Sequence, residues 1–440
     1  MADLPIPVRM KKYVFHIDVN SAFLSWTAAY RVSVLGEERD LRQIPSIVGG
    51  DQEKRHGIVL AKSTPAKKFG IKTGEAIVTA RKKCPGLVVV PPDYGLYVTA
   101  SRAFIRLLKE YSDIVMQYSI DEAWMVFEGF EKLYGRNQMV KLAYEVKDRI
   151  RDELGFTVNV GVSTNFLLSK MAGDFSKPDK VHTLFPEEIE CKMWPLPVSD
   201  LFFCGRATVE KLHRLGIRTI GELAQADEGM IRAHLKKHGE TLRGLANGGD
   251  LDQTMIAHEA NKGYGNSLTA PVDIVTEEYA KHLLLSLSET VGARLRADNV
   301  VVSLVSVHLT TYEFQHMGKQ MQLDSPTNIT KEIYEAACRI LDRLWDKKTP
   351  IRQIGVHTSK VCGKEDAARQ YTIFDLDKGD KLERLDKTID RIREKYGEDA
   401  VIRASFLKSN VSHMSGGLDK ERRSGVTLGI DVEGEHVKGR

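Results

Sequence analysis

Two short acidic strings, about a hundred residues apart, hold the groups best suited to chemistry. The first runs from His16 through Asp18, Val19 and Asn20 to Phe23, and the second is Ser119-Ile120-Asp121-Glu122-Ala123. Apolar residues that read as β-strand border both: Tyr13, Val14, Phe15 and Ile17 in one, Trp124, Met125, Val126 and Phe127 in the other. A carboxylate at a strand end is costly to bury without a partner. Three that converge from neighbouring strands, Asp18, Asp121 and Glu122, have such a partner in a divalent cation. Hard oxygen ligands suit Mg²⁺, which takes a few carboxylates together with substrate phosphates. Two such ions form the layout of a phosphoryl-transfer site.

Alternating strand and helix patterns over the first ~175 residues must position these acids. Strand signals fall near 13–18, 45–49, 57–61, 87–91, 114–118, 122–127 and 157–162, and helix signals near 21–34, 64–69, 75–83, 96–111, 136–154 and 165–176. The strand at 114–118 precedes Asp121 so closely that an antiparallel hairpin is expected rather than a βαβ crossover. Residues 177–255 read as short helices and turns. Within them, two helical pieces around Gly205, Arg206 and Gly216 form a helix-hairpin-helix pattern, whose turn exposes N–H groups to a phosphate. A second α/β unit follows, with strands near 268–274, 300–310, 318–323 and 351–360 and helices over 277–297 and 329–345. It predicts a four-stranded sheet with helices on one face. Beyond Cys362 the pattern loosens to a charged helix over 382–396 and a Gly-rich charged tail from 415, expected to be mobile.

The chain has 440 residues, a net charge of +4 and five cysteines without a CxxC pair. Its length suggests three or four domains. The mild positive charge is compatible with a nucleic-acid partner without demanding one. The odd, scattered cysteines argue against a disulfide framework and against a zinc site. No apolar run approaches the ~20 residues of a membrane span, and no leader is evident. A cytosolic protein is expected, or a nuclear one if the source is eukaryotic.

Taken together, Asp18-x-Asn20-x-x-Phe23, the string from Ser119 to Ala123, Ala66-Lys67-Lys68-Phe69-Gly70-Ile71 and Ser176-Lys177-Pro178 resemble the Y-family translesion DNA polymerases of the bacterial polymerase IV and V type. The resemblance covers about residues 12–396. It implies an α/β multidomain chain: an α+β palm at 1–36 and 74–176, small fingers at 37–73, an all-α helix-hairpin-helix thumb at 177–255, and a linker at 256–264. An α+β four-stranded little finger at 265–362 and a C-terminal segment at 363–440 would complete it. The implied activity is template-directed, low-fidelity DNA synthesis past lesions during the DNA damage response, by a monomeric cytoplasmic enzyme acting on primer-template DNA and dNTPs.

The resemblance also assigns residues. Asp18 and Asp121 would bridge two Mg²⁺ ions, Glu122 would hold the one on the hydroxyl side, and the Val19 carbonyl would add a ligand to the other. Phe23 would be the steric gate against a ribose 2′-hydroxyl. The N–H groups of Asn20, Ser21, Ala22 and Phe23 would hold triphosphate oxygens, helped by Lys177. Lys67 and Thr64 fall where the family carries Arg and Tyr; a Lys meets phosphate as a point charge, without the fork of Arg. Ile58 and Leu60 would roof the nascent base pair, tightly enough to hinder bulky adducts. Lys262, Arg294, Arg296, Lys319, Arg352 and Lys360 are candidate DNA-backbone contacts. Gln370, Tyr371, Ile373 and Phe374 resemble a peptide that docks on a sliding clamp. Two rivals stand beside this reading. One is an inactive DNA- or clamp-binding scaffold of the same fold. The other is a palm-type nucleotide cyclase, suggested by Gly49-Gly50-Asp51 but disfavoured because Lys54-Arg55 stands where a Phe would be needed.

Overall fold

The computed structural model describes residues 12–50, 55, 57–129, 134–251, 260–366, 376–407, 409 and 411–415. The chain forms two compact units, one built mainly from residues up to 258 and the other from 259 onward.

The first unit runs β1 (Lys12–Val19), α1 (Ala22–Ser33), β2 (Ser46–Gly49), β3 (Val59–Lys62), α2 (Thr64–Lys68), α3 (Ile77–Lys83), β4 (Val88–Val90), α4 (Tyr94–Lys109), β5 (Ile114–Gln117), β6 (Glu122–Glu128), α5 (Arg136–Leu154), β7 (Val158–Ser163), α6 (Phe166–Asp174), β8 (Val181–Thr183), α7 (Arg206–Arg214), α8 (Ile220–Gln225) and α9 (Glu228–Ala246). Its main sheet has the order β5-β6-β1-β7-β8, and a small sheet has the order β3-β2-β4. The hairpin β5–β6 is antiparallel, as its short connection requires. β1 lies at the centre, buried from Val14 onward, which explains its nearly unbroken apolar run.

Strand alternation sorts β1 into two faces. Phe15, Ile17 and Val19 share a core with Ala123, Met125 and Phe127 and with residues of α4 and α5. Val14 faces the other way, with Trp124, Val126 and Leu167 and Leu168 of α6. His16 and Asp18 follow Val14's parity, and the register places Asp18 opposite Glu122. Asp18 and Glu122 therefore share the α6 side of the sheet. There α6 approaches β7 closely enough that a Cβ on Gly161 would fall 1.8 Å from the Ser169 carbonyl oxygen. Only a glycine fits at that position.

The second unit runs β9 (Gly263–Ile274), α10 (Glu277–Ala297), β10 (Val300–Thr311), β11 (His316–Thr327), α11 (Thr330–Leu344), β12 (Ile351–Gly363) and α12 (Leu376–Tyr396). Its sheet is antiparallel with the order β11-β10-β12-β9. Val305, Val307, Leu309, Ile354 and Val356 form one core with Leu283, Leu287 and Val291 of α10 and Ile333, Ile340 and Leu341 of α11. The expected four-stranded sheet with helices on one face is present.

Three expectations change. β8, in the stretch read as helical thumb, is the edge strand of the main sheet; three half-buried residues carry no legible alternation. β9 begins at Gly263, inside the stretch read as linker. The segment after Cys362 is not loose throughout: α12 begins at Leu376, and Phe406 and Val411 enter the core of this unit. The proposed clamp peptide, Gln370 to Phe374, lies outside the described residues, as does the tail beyond 415.

Ion pairs fix this C-terminal arm to α10. The Glu289 carboxylate, 3% exposed, accepts from Arg393 Nη1 at 2.8 Å and also meets Arg403. Burial raises its pKa, but Arg403 and Arg393 outweigh that and hold it below the usual carboxylate range. Its stabilising contribution is therefore full above the unfolded value of 4.5 and fades as pH falls toward the lowered folded value. Glu289→Ala leaves Arg393 buried and uncompensated, and should cost ~3–5 kcal/mol, read as a lower midpoint in urea unfolding at pH 7. The difference between variant and wild type should shrink at pH 4.

Candidate active site

A cavity of about 360 Å³ in the first unit is lined by the whole run from Asp18 to Phe23, by Leu60, Ala61, Lys62, Lys67 and Thr73, and by Asp121 and Lys177. Most of the catalytic and nucleotide-binding candidates thus meet at one place, while Glu122 stays off the lining. The end of β1 and the start of α1 deliver the first run, and Ser21 takes a left-handed conformation (φ 50°) at the junction. The N–H of Val19 donates to the Asp121 carbonyl at 3.0 Å, tying the two acidic strings together through the backbone.

Each acid has its own surroundings. Asp18 contacts the Lys177 ammonium, which also pairs with Asp174 at 2.8 Å. Burial pulls the Lys177 pKa down, but Asp18 and Asp174 prevail and hold it above the ordinary lysine value. Asp121 accepts from the Ser119 hydroxyl at 2.7 Å. Its pKa is raised, chiefly by burial, with the charges of Asp18 and Glu122 adding to the rise against that hydrogen bond. Glu122 accepts from Lys170 Nζ at 2.8 Å and lies 3.4 Å from His16 Nε2. Burial raises its pKa, but His16 and Lys170 bring it down to about 2. Burial lowers the pKa of His16, against the opposing pull of Glu122. Among the described residues the buried Nδ1 of His16 has no hydrogen-bond partner, while its Nε2 lies between Glu122 and Lys170.

Among the described residues no three acidic, histidine or cysteine side chains are gathered as a metal-ligand cluster. Asp18, Asp121 and Glu122 are instead turned toward Lys177, Ser119 and Lys170. The donor set nevertheless fits a hard divalent cation. All three groups are carboxylates at adjoining strand ends, two of them already draw ammonium groups, and Asp121 has no cationic partner among the described residues while feeling two like charges.

Phe23 stacks on Tyr97, with ring centroids 4.5 Å apart and planes within 6°. The Tyr97 hydroxyl is in turn hydrogen-bonded to Thr27 at 3.1 Å. Leu60 reaches the cavity from β3. Ile58 is 44% exposed and joins Ala76 through an isolated bridge, and it does not line the cavity. Thr64, the first residue of α2, is exposed and also stays off the lining. Lys62 was missed. Burial, then the charge of Lys67, lowers its pKa, and Thr73 Oγ1 is 3.5 Å from its Nζ. Strand period could have found it: Ile58, Leu60 and Lys62 share one parity.

The remaining candidates lie elsewhere. Gly205 caps α7 with open space around its Cα, Gly216 needs its positive φ of 82°, and the Arg206 side chain is 92% exposed. The expected helical hairpin is therefore present. In the second unit, Arg294 lies over the Tyr264 ring, Arg352 over the Phe314 ring, and Lys319 approaches the Arg343 carbonyl. Arg296 is a correction. Its side chain is 4% exposed and pairs with Asp386 at 3.2 Å and Asp390 at 2.5 Å. It holds α12 in place and has no surface to offer DNA.

The chain matches the impB/mucB/samB family over residues 17–174 and that family's C-terminal domain over residues 261–373. It is 43% identical to the DNA polymerase IV of Clostridium acetobutylicum, over 91% of this chain and 99% of the relative. It is 37% identical to the DNA polymerase IV of Acetivibrio thermocellus, over 91% and 98%. A solved Y-family DNA polymerase chimera of Dbh and Dpo4 shares the fold with a TM-score of 0.66 at 21% identity, over 80% of this chain and 99% of that one.

Proposed function

We propose, for a chain that belongs to the impB/mucB/samB family and is a translesion DNA-directed DNA polymerase, that Asp18, Asp121 and Glu122, with the Val19 carbonyl, hold two Mg²⁺ ions at the cavity. The observation that carries this reading is the convergence of Asp18, Asp121, Lys177, Lys67 and Phe23 on one space. When bound, the ions supply Lewis-acid activation of the primer 3′-hydroxyl and neutralise the triphosphate.

The protein's own groups divide the remaining work. Lys62, Lys67 and Lys177 present positive charge to the triphosphate, and the backbone N–H groups of residues 20–23 meet its oxygens at the start of α1. Lys177, now paired with Asp18, is freed for phosphate when other positive charge reaches that carboxylate. Leu60 covers the nascent base pair. We assign residues 1–36 and 74–176 to a palm, 37–73 to fingers, the stretch after β8 to a thumb and the second unit to a little finger. Gly205, Arg206, Gly216, Arg294, Lys319 and Arg352 contact the DNA backbone, positioning the duplex without reading its sequence. The Gln370–Phe374 peptide tethers a monomeric, cytoplasmic enzyme to a sliding clamp. Among the described residues no helix is long and apolar enough to cross a membrane.

Primer extension with Mg²⁺ tests the reading. Synthesis that depends on a primer-template supports it, whereas a chain that binds DNA without extending it is the scaffold alternative. Phe23→Val should admit ribonucleotides about a hundredfold more readily relative to deoxyribonucleotides, since discrimination against one hydroxyl by a packed ring is worth a few kcal/mol. Single-nucleotide kcat/KM with dCTP and CTP measures it, and unchanged selectivity would remove the gate assignment.

A further inference from the structure

The sheet face of the second unit that turns away from α10 and α11 is polar and carries two histidines on inner strands. His308 of β10 and His357 of β12 are exposed, with ring centroids 5.1 Å apart and planes at 84°. Glycines lie beneath both rings. His308 is flanked in register by Gly318 and Gly355, and His357 by Gly265 and Ser306. A Cβ on Gly318 would fall 2.6 Å from His308 Nδ1, and one on Gly265 would fall 2.0 Å from His357 Nδ1. The rings therefore lie down over the backbone, in cradles that any other residue would fill.

The surrounding shallow concavity, about 640 Å³, has no carboxylate among its lining residues. Ser267 comes from β9, Ser306 and Thr310 from β10, His316 and Lys319 from β11, and Gln353 from β12. His316 is held by Thr310 at 3.0 Å, and Lys319 reaches toward the Arg343 carbonyl. Farther along β12, Lys360 is paired with Gln322 at 2.7 Å. Among the described residues that line the concavity no carboxylate faces the histidine pair. Burial, then the neighbouring His308, lowers the pKa of His357. A flat floor of sheet backbone suits an extended polyanion better than a small ligand that needs walls.

We propose that His308 and His357 are DNA-phosphate contacts that take up a proton when the duplex binds, making the grip of this domain strengthen as pH falls. The proposal rests on the polymerase reading above. Proton uptake follows from linkage, because a phosphate beside the pair favours its charged form.

The test is fluorescence anisotropy of a labelled primer-template with the full chain, at constant ionic strength from pH 8 to pH 6. Wild type should bind about fivefold tighter at pH 6, and its plot of log affinity against log salt should steepen by about 1 to 2. The affinity of His308→Gln/His357→Gln should change less than about twofold across the range. Equal pH dependence in both proteins overturns the histidine assignment and leaves the polymerase reading standing. Failure of wild type to bind or extend the primer-template at pH 8 overturns both.

Discussion

Asp121→Asn should leave the folded chain intact and lower primer extension by about three orders of magnitude or more, the scale set by losing a metal-coordinating charge at a phosphoryl-transfer site. The substitution is isosteric. It keeps the Val19 N–H to Asp121 carbonyl bond and the contact with Ser119. What it removes is a negative charge that burial, Asp18 and Glu122 all disfavour, as the raised pKa shows. The ligand-free variant should accordingly melt no lower than wild type. A protein that is equally stable yet inactive separates a functional carboxylate from a structural one. Single-turnover extension and differential scanning calorimetry measure the two halves. Activity within tenfold of wild type would remove Asp121 from the mechanism.

The second large effect is structural. Gly161→Ala would place a methyl group 1.8 Å from the Ser169 carbonyl oxygen and 2.5 Å from the Gly173 nitrogen. These are backbone atoms of α6, so no side-chain rotation relieves the clash. Helix α6 would have to lift from β7, taking Lys170 away from Glu122. Overpacking of this kind costs more than about 3 kcal/mol where the backbone must move. The expected outcome is insoluble protein or a urea midpoint far below wild type. A midpoint equal to wild type would show that α6 is not seated on β7 as described.

The elements around the acids were legible because they obey simple periods. β1 and β6 alternate or run apolar, so Asp18 and Glu122 could be placed at strand ends, and the register then set them opposite each other. Lys62 was legible in principle from the parity of Leu60 but was passed over, since a lone lysine on a short strand looks like surface. The fate of Arg296 was hidden. Its partners Asp386 and Asp390 lie about ninety residues further on, on a helix whose own pattern is mostly charge, and no local signal marks an arginine as a buried strut. The arm carrying Phe406 and Val411 was likewise illegible, because apolar residues that dock singly have no period to detect. Thr64 shows the opposite case: it stands at a family motif position, yet its short, exposed side chain does not line the cavity.

The stack of Phe23 on Tyr97, with the phenol anchored to Thr27, gives the cavity one unyielding wall. Under the gate role proposed for Phe23, a nucleotide held against such a wall is judged by the shape of its pentose, whatever base lies opposite in the template. Choice of sugar and choice of base thereby become separate decisions made by different parts of the molecule. An enzyme built in this way can be permissive toward damaged or mispaired bases and still keep RNA out of the chromosome.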